Sequence, residues 1–309
     1  MNILVTGSAG MIGGYVVKGL IEKGHTVIGV DRRVSDSNLE GFIQIILDLS
    51  SKDGVMQLFE DKNIDRCIHL AALAHTAGVK DVSWEAFKKV NVDCAVNLFE
   101  ACAKFNVPVL FISTVDAIGM VKGLITPETE LNPISNYGKS KAMAEGRLKE
   151  ICSAWNNRAS EGSSQAGLDT AERSRLSFGY NIYRFSPVYT EDVKRDIQKR
   201  YYLKYPNWAY LIGGGQQFEV LNVTAAVKAM VDWVDLPVDN TIHIIKDEEL
   251  LDSAKVIAEE RADGRAKHLI RLPRWLVVCG YGLIRVVFGR SNKSYLVFKA
   301  LWPFRTSEA

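Results

Sequence analysis

Short runs of apolar and β-branched residues alternate with longer stretches of helical periodicity over most of the chain. The apolar runs predict strands, and the stretches between them predict helices. Strands that alternate with helices form a parallel sheet with helices on both of its faces. We therefore expect an α/β fold with a doubly wound parallel sheet. The predicted strands cover residues 2–5, 26–30, 42–47, 66–71, 108–112, 180–184 and 241–245, and the main predicted helices cover residues 11–23, 84–105 and 136–155.

Two stretches depart from this alternation. Residues 156–177 contain few large apolar side chains. We interpret them as a mobile surface insertion, because such a composition buries little apolar surface. Residues from Leu250 onward leave the alternation and are predicted to belong to a smaller unit.

Composition narrows the class of protein. The 309 residues are enough for one large or two smaller domains. The chain is 47% apolar and 24% charged, which is typical of soluble globular proteins. Its 38 basic and 36 acidic residues leave a net charge of +2, which gives no argument for nucleic acid as a partner.

The cysteines favour a reducing compartment. There are five, with no CxxC pair, and four of them lie in apolar or helix-like surroundings. An odd number in such surroundings fits a reduced interior better than a disulfide framework, and no metal site is predicted. The chain opens with a predicted strand, without a basic segment and a long apolar one, so we expect no signal peptide and a cytoplasmic protein.

Three glycines follow the first predicted strand at intervals of three, in the segment VTGSAGMIGG. Glycines between a strand and a helix let the backbone approach a pyrophosphate and place it at the helix N-terminus, where free N–H groups favour negative charge. A tight turn without a ligand would have the same composition. No Gly-Lys-Ser/Thr follows, which excludes a P-loop. The backbone candidates for phosphate binding are Gly7, Gly10, Met11, Ile12 and Gly13.

Carboxylates end the second and third predicted strands. Asp31 lies 18 residues beyond Gly13, where an acidic side chain can accept hydrogen bonds from both ribose hydroxyls of NAD and would repel the 2′-phosphate of NADP. Arg32 and Arg33 follow directly and suit that phosphate, so NAD is favoured and NADP stays open. Asp48 is interpreted either as an acceptor for the adenine amino group or as a helix N-cap.

A tyrosine and a lysine share one face of a predicted helix. They are Tyr137 and Lys141 in the segment NYGKSK. Ser113 and Thr114 directly follow the fifth predicted strand, and Thr114 lies 23 residues before Tyr137. One ammonium ~4 Å from a tyrosine hydroxyl favours the phenolate by roughly 4 kcal/mol, which lowers the tyrosine pKa by about 3 units. Tyr295 and Lys299 repeat the spacing, but no strand-end hydroxyl precedes them, so we interpret this second pair as chance.

Four segments carry a resemblance to a known family. TGSAGMIG, HLAALAH, ISTVDAIG and YGKSK, in this order and spacing, resemble the extended short-chain dehydrogenase/reductase family, in its nucleotide-sugar epimerase/dehydratase branch. The resemblance covers roughly residues 1–245. It implies a Rossmann domain that binds NAD(P), over residues 1–184 with a last strand and helix returning by about 220–245, and a mainly substrate-binding region over residues 185–309. It also implies a nucleotide-sugar substrate and a homodimer formed through the helices of residues 84–105 and 136–155.

The same resemblance assigns roles to single residues. It implies that Tyr137 is the catalytic base, that Lys141 binds the nicotinamide ribose, and that Thr114 hydrogen-bonds the reacting oxygen. His69 is expected to be packed in the interior, whereas His75 lies nearer the expected substrate and its role stays open. The remaining cofactor candidates are Arg32, Leu49, Leu70, Ala71, Ala72 and Asn91, and the substrate candidates are Thr114, Asp116, His75 and Arg200.

The sequence also departs from the family pattern. Val115 and Asp116 stand where the family's dehydratases carry an Asp-Glu pair, so elimination of water is less favoured than hydride transfer. Ile118 replaces a frequent aromatic residue, and the asparagine expected after the sixth strand is missing. The leading hypothesis is an NAD-dependent epimerase that works through a keto-sugar intermediate. The alternatives are an NAD(P)H-dependent reductase of a nucleotide 4-keto-sugar, a reductase of a non-nucleotide carbonyl compound, and a cofactor-sensing protein without turnover.

Residues 271–290 raise the question of a membrane. Their longest uncharged run, residues 275–284, is far shorter than the ~20 residues that span a bilayer. Flanking arginines together with Trp275 and Phe288 suit a helix that makes weak peripheral contact with a membrane surface. A helix packed on the core of the protein is the alternative.

Overall fold

The computed structural model of the protein describes residues 1–35, 37–74, 82–165, 177–190 and 195–306, and for residues 159–165, 195 and 196 it describes the backbone alone. The strands are β1 (Asn2–Thr6), β2 (Thr26–Asp31), β3 (Phe42–Ile46), β4 (Arg66–His69), β5 (Val109–Thr114), β6 (Leu124–Ile125), β7 (Tyr180–Phe185), β8 (Val188–Tyr189), β9 (Tyr202–Lys204), β10 (Trp208–Ile212), β11 (Gln217–Phe218), β12 (Leu221–Asn222), β13 (Ile242–Ile245), β14 (Leu251–Asp252), β15 (His268–Leu272) and β16 (Arg305–Thr306). The helices are α1 (Met11–Glu22), α2 (Lys52–Asp61), α3 (Trp84–Lys88), α4 (Cys94–Lys104), α5 (Asn136–Gln165), α6 (Arg195–Gln198), α7 (Val223–Trp233), α8 (Ser253–Ala262), α9 (Arg274–Phe288) and α10 (Asn292–Leu301).

Seven strands form the central sheet in the order β13-β7-β5-β4-β1-β2-β3, and they run parallel to one another. The order reverses at β1, which pairs with both β2 and β4. Thr6 at the end of β1 therefore lies beside His69 at the end of β4, which is where doubly wound folds bind their ligands. The predicted α/β fold and its parallel sheet are confirmed.

The strands form where consecutive residues are apolar on both faces. Ile3, Leu4 and Val5 have no exposed surface, as is typical of a parallel strand covered by helices on both sides. On α1, Val16 and Leu20 are buried four residues apart, which is the spacing of an amphipathic helix that packs against a sheet.

The structure differs from the predicted helices at three points. The helix predicted over residues 84–105 is interrupted by a π-helical turn, Lys89–Asp93, between α3 and α4. Residues 156–165, interpreted as part of a mobile insertion, continue α5 to Gln165, while residues 166–176 lie outside the described residues. The helix α2 was not predicted, although Ser51 caps its N-terminus by accepting a hydrogen bond from the Gly54 N–H.

The chain divides into two compact units. The first comprises residues 1–113, 139–184 and 227–243, and it contains all but the ends of the central sheet. The second comprises residues 114–138, 185–226 and 244–309, and it contains a three-stranded sheet in the order β15-β10-β9. The cofactor and substrate roles that the sequence assigns to the two parts of the chain stay predictions.

Candidate functional site

In the first unit, the glycine-rich loop is fixed to the end of β2. The Gly7 N–H donates to the Val30 carbonyl at 2.7 Å, and the Ala9 N–H donates to Oδ2 of Asp31 at 3.2 Å. A Cβ at Gly13 would overlap the Gly7 carbonyl oxygen, so any larger residue would push the first turn of α1 away from the loop. The backbone of the loop and the start of α1 are thereby held close together.

The start of α1 fits the phosphates of a dinucleotide. Its N-cap residue, Gly10, supplies no side-chain hydrogen bond, and its first turn carries no acidic residue. The N–H groups at a helix start and the helix dipole favour an anion. At α1 no side chain of the cap residue accepts hydrogen bonds from these N–H groups in place of a ligand. The glycine cradle is therefore available to a pyrophosphate, and the candidates Met11 and Ile12 lie in this first turn.

Asp31 is only 10% exposed and is paired with an arginine. Its Oδ1 accepts from the Arg33 N–H at 3.0 Å and lies 3.5 Å from Nε of the same residue. Nη2 of Arg33 also donates to the Ala9 carbonyl at 3.3 Å. Arg33 thus partly neutralises the carboxylate that is expected to discriminate between NAD and NADP.

Asp48 begins a turn rather than a helix. Its Oδ1 accepts from the Ser50 N–H at 2.9 Å, and this hydrogen bond is the main reason why the pKa of Asp48 lies below its usual value. Because the N-cap of α2 is Ser51, the interpretation of Asp48 as a helix N-cap is wrong. Nη1 of Arg32 lies 3.9 Å from Oδ2 of Asp48, and the neighbouring candidate Leu49 is packed in the core of the first unit.

His69 is a buried packing residue, as the sequence predicted. It has no exposed surface, and its Nδ1 is hydrogen-bonded to the Thr6 hydroxyl at 2.6 Å. Its ring centroid lies 5.6 Å from that of Phe99 and 5.7 Å from that of Phe111. Burial lowers the pKa of His69 to about 3, so its ring is neutral at physiological pH.

The segment after β4 is held from two sides. The Leu70 N–H donates to the Thr6 carbonyl at 3.2 Å. Asn91 accepts from the Leu73 N–H at 2.6 Å, and its amide donates to the Leu73 carbonyl and to the Ser140 hydroxyl, both at 2.9 Å. The π-helical turn presents Asn91 to this segment, and Asn91 is 1% exposed. Asn91 is therefore a positioning residue, which holds the backbone around the candidates Ala71 and Ala72. His75 lies outside the described residues.

Lys141 is buried beside an aromatic ring. It is 2% exposed, and its Nζ lies 4.1 Å from the ring centroid of Phe111. Burial lowers the pKa of Lys141 to about 7, although the negative charge of Glu145, one helical turn further along α5, acts in the opposite direction.

Sequence reasoning missed a buried network next to Lys141. Glu145 has no exposed surface; it accepts from the Ser113 hydroxyl at 2.5 Å and from Nη2 of Arg184 at 2.7 Å. An arginine inside an otherwise uncharged strand, together with an acid four residues after Lys141, was the available signal, because buried charges need partners. The network fixes α5 against the ends of β5 and β7.

In the second unit, Thr114 and the start of α5 meet at one turn. Thr114 is half-buried at the end of β5, and its Oγ1 accepts from the Asp116 N–H at 3.2 Å. A Cβ at Gly138 would overlap the Asp116 carbonyl oxygen, so glycine is required where α5 packs against this turn. Tyr137, which is half-buried, immediately precedes Gly138. The candidates Thr114, Asp116 and Tyr137 are therefore neighbours.

Asp116 is the partner of the second tyrosine–lysine pair. The Tyr295 hydroxyl donates to its Oδ1 at 3.0 Å, and Nζ of Lys299 lies 3.2 Å from the same oxygen. The pair therefore binds a carboxylate, and the interpretation of its spacing as a chance copy of the first pair stays a prediction. Burial acts to raise the pKa of Asp116, but the charges of Lys299 and of the substrate candidate Arg200 outweigh it, so the pKa lies below its usual value.

Three further observations bear on the site and its surroundings. The part of the chain that the structure describes holds no group of three His, Cys, Asp or Glu side chains that could bind a metal ion. Within the same residues, no helix has the length and apolar character needed to cross a membrane. All five cysteines are unpaired; four of them are buried, and Cys279 is exposed.

The chain shares sequence with known enzymes over its first half. Residues 3–161 match a family model described as the NAD dependent epimerase/dehydratase family. A UDP-glucose 4-epimerase of Lactobacillus helveticus is 33% identical over 47% of this chain and 45% of its own length. UDP-glucose 4-epimerase 3 of Oryza sativa subsp. japonica is 28% identical over 50% of this chain and 45% of its own. The matched region thus spans about half the length of these curated relatives.

Solved structures resemble the whole chain in fold. MoeE5, solved in complex with UDP-glucuronic acid and NAD, is 22% identical with a TM-score of 0.66, and the match covers 100% of this chain and 95% of that one. A UDP-glucose 4-epimerase of Thermotoga maritima, solved with UDP-glucose, is 24% identical with a TM-score of 0.65, over 88% of this chain and 86% of that one. At these identities the likeness concerns the fold alone.

Proposed function

This chain belongs to the NAD dependent epimerase/dehydratase family, and we propose that it is an NAD-dependent nucleotide-sugar epimerase that works through a keto-sugar intermediate. One observation carries the proposal: the start of α5, with Tyr137, packs through Gly138 against the turn that Thr114 begins. A general base and a hydroxyl donor are thus neighbours at the end of a central strand.

The residues of the chain would divide the work as follows. Tyr137 takes the proton from a sugar hydroxyl and later returns it. The Thr114 hydroxyl oxygen accepts a hydrogen bond from the Asp116 N–H, so the hydroxyl can still donate its own proton in a hydrogen bond to the reacting oxygen. Lys141, one helical turn after Tyr137, lowers the pKa of the tyrosine when its ammonium is charged. Bound NAD would accept and return hydride.

Asp116 supports hydride transfer over elimination of water. A dehydratase needs a carboxylic acid that gives a proton to the departing hydroxyl. The pKa of Asp116 is lowered by Lys299 and Arg200 against the effect of burial, so this carboxyl is an anion at neutral pH. It also already accepts hydrogen bonds from Tyr295 and Lys299. The neighbouring Val115 cannot supply the missing acid.

The reaction is tested by incubating the protein and NAD with UDP-, GDP- and dTDP-hexoses and following the sugar by NMR. An epimerase interconverts two sugars without net consumption of cofactor. Net consumption of NADH with a keto-sugar would instead show a reductase and contradict the proposal. Thermal unfolding identifies the nucleotide first, because a ligand at 100 times its Kd stabilises the fold by roughly 2.7 kcal/mol.

We further propose that NAD binds more tightly than NADP. Asp31 lies at the end of β2 beside the glycine-rich loop, where it would repel a 2′-phosphate, while Arg33 pairs with it and reduces that repulsion. Asp31→Ala is expected to narrow or reverse the preference, and the matched variant Arg33→Ala to widen it. Calorimetric titration of both cofactors measures this, and equal affinities in the unmodified protein would contradict the proposal.

The assembly and the compartment are proposals as well. A homodimer through α4 and α5, as the family resemblance implies, would have about twice the chain mass of 34.4 kDa in light scattering. A particle with the mass of one chain at micromolar concentration would contradict it. The five unpaired cysteines support a reducing compartment such as the cytoplasm.

A further inference from the structure

The helix α9 presents an uncovered apolar face. None of its fifteen residues is buried. Its large apolar side chains include Trp275 at 68% exposure, Leu283 at 70%, Val286 at 85% and Val287 at 70%. Contiguous apolar exposure of this kind marks an interaction surface on a folded protein.

Most of the exposed large apolar residues occupy one side of the helix, and Val278 and Phe288 lie outside it. At about 100° per residue, six of them fall within an arc of roughly 120° that contains no charged residue; they are Trp275, Leu276, Cys279, Leu283, Val286 and Val287. The opposite side is half-buried: the Tyr281 ring centroid lies 5.3 Å from Trp302 and 6.2 Å from Phe298. One side of α9 thus holds it to the second unit, and the other side is free to bind.

The charge around α9 has a single sign. Residues 264–307 carry nine of the 38 basic residues of the chain and none of its 36 acidic residues. The rest of the chain therefore has seven more acidic than basic residues. Such an asymmetry points to an anionic partner.

Several of these cations flank α9 along the chain. Arg271, Arg274, Arg290 and Lys293 are exposed, just before, at the start of and just after α9. The Nζ of Lys293 lies 4.3 Å from the ring centroid of Phe288. Long basic side chains at the edge of an apolar face can bury their methylene groups while their charged ends reach phosphate.

We propose that α9 binds the surface of an anionic lipid bilayer, with its apolar face in the boundary between headgroups and acyl chains. Its fifteen residues extend about 22 Å, which suits a helix that lies in the membrane plane. Basic residues near an anionic surface are attracted to it and add to the apolar contribution. A second copy of the chain is the less favourable occupant, because a symmetric contact would place two basic segments against each other.

Flotation of the full chain with vesicles tests the proposal. Vesicles of phosphatidylcholine and phosphatidylglycerol are expected to carry the protein upward, those of phosphatidylcholine alone to carry much less, and high salt to release it. The double variant Leu283→Glu/Val286→Glu should reduce the bound fraction at least about tenfold, since two charges would enter the apolar boundary. Thermal unfolding checks that each variant is folded.

The matched control is Leu203→Glu on β9, because Leu203 is 63% exposed and lies outside α9. This variant should float like the unmodified protein. Failure of the unmodified protein to float, or equal loss with the control, would overturn the proposal. It would also be overturned if the double variant converted an oligomer to a monomer in sedimentation and the unmodified protein bound no vesicles, since the face would then join copies of the chain.

Discussion

The chain carries the same five-residue pattern, Tyr-x-x-x-Lys, on two helices, and the two copies have opposite electrostatic surroundings. On α5, Lys141 is buried against the Phe111 ring, and burial lowers its pKa to about 7. On α10, Lys299 is paired with Asp116 at 3.2 Å. Burial and the negative charge of Asp116 raise the pKa of Tyr295.

Under the proposed function, this difference accounts for the assignment of the general base to Tyr137 and not to Tyr295. A tyrosine acts as a base only where its phenolate is stabilised, and a neighbouring carboxylate stabilises the neutral phenol instead. The spacing of four residues places the two side chains on one face of a helix. What that face meets in the folded protein decides whether the pair moves a proton or holds a carboxylate in place.

The largest expected effect is on turnover, which should fall steeply when Tyr137 is replaced and hardly change when Tyr295 is replaced. Tyr137→Phe removes one oxygen and little volume, so folding should survive while turnover falls by the 10² to 10⁴ that a general base typically contributes. Tyr295→Phe should change turnover by less than about threefold, because its hydroxyl serves Asp116, which Lys299 still holds. Steady-state kinetics of the sugar interconversion measures both variants.

If Tyr137→Phe retained more than about a tenth of the activity, the loss would be smaller than a general base usually contributes. The proton would then be transferred by another group, and the comparison would fail at its central point. A similar loss in both variants would equally contradict the distinction between the two pairs.

The second expected effect is on the free energy of unfolding, which substitutions of the two lysines should change in opposite directions. Without cofactor, the folded-state pKa of Lys141 is about 7, against an ordinary value of 10.5. Between these two pH values the side chain is mostly protonated in the unfolded chain and mostly neutral in the folded protein. Lys141 therefore destabilises the fold increasingly as the pH falls from about 10.5 to 7. Lys141→Met should remove this penalty, roughly 3 to 5 kcal/mol at pH 6 and little at pH 10.

Lys299→Met should instead destabilise the fold by about 1 to 3 kcal/mol at neutral pH, since it removes the cation that is paired with Asp116. Urea unfolding at pH 6 and at pH 10, without cofactor, measures both changes. If Lys141→Met destabilised the fold at pH 6, the neighbours of the Lys141 ammonium would have to compensate for the cost of burying its charge, which would contradict the prediction.

Much of the fold could be predicted from local patterns. The strands around Leu4 and Leu110 are buried on both faces, so their sequences contain continuous apolar runs that stand out without any knowledge of neighbours. The π-helical turn could not be predicted, because residues 84–105 keep a helical pattern across it. The continuation of α5 beyond Trp155 is polar, and its composition alone resembles that of a surface insertion.

The candidate site divides in the same way. Tyr137, Lys141 and Thr114 belong to segments with a recognisable spacing, so the sequence could identify them. The contacts of Tyr295 and Lys299 with Asp116 join positions 179 and 183 residues apart. No local pattern signals a contact of this range, which depends on how the whole second unit folds.

A third prediction concerns Asp116, the carboxylate that Tyr295 and Lys299 contact. Asp116→Asn keeps the shape of the side chain but removes the anion that Lys299 and Tyr295 face. It should cost about 1 to 3 kcal/mol at pH 7. The folded-state pKa of Asp116 lies below its usual value, so its contribution is present above the unfolded pKa and is lost as the pH falls through the folded one. Unfolding midpoints should therefore differ at pH 7 and converge in acid, and a difference independent of pH would argue for packing instead of charge.

The smallest expected effect concerns the Tyr295 hydroxyl and distinguishes a partnered phenol from an unpartnered one. Tyr295 is 2% exposed and donates to Asp116, so Tyr295→Phe should lower the free energy of unfolding by about 1 kcal/mol at pH 7. Tyr201 is the matched control, because it is 1% exposed and its buried hydroxyl has no hydrogen-bond partner among the described residues. Tyr201→Phe should leave stability unchanged or raise it, since it removes an unsatisfied polar group. Equal losses in the two variants, compared by urea unfolding, would assign the effect to ring packing and would remove Asp116 from the account of the second pair.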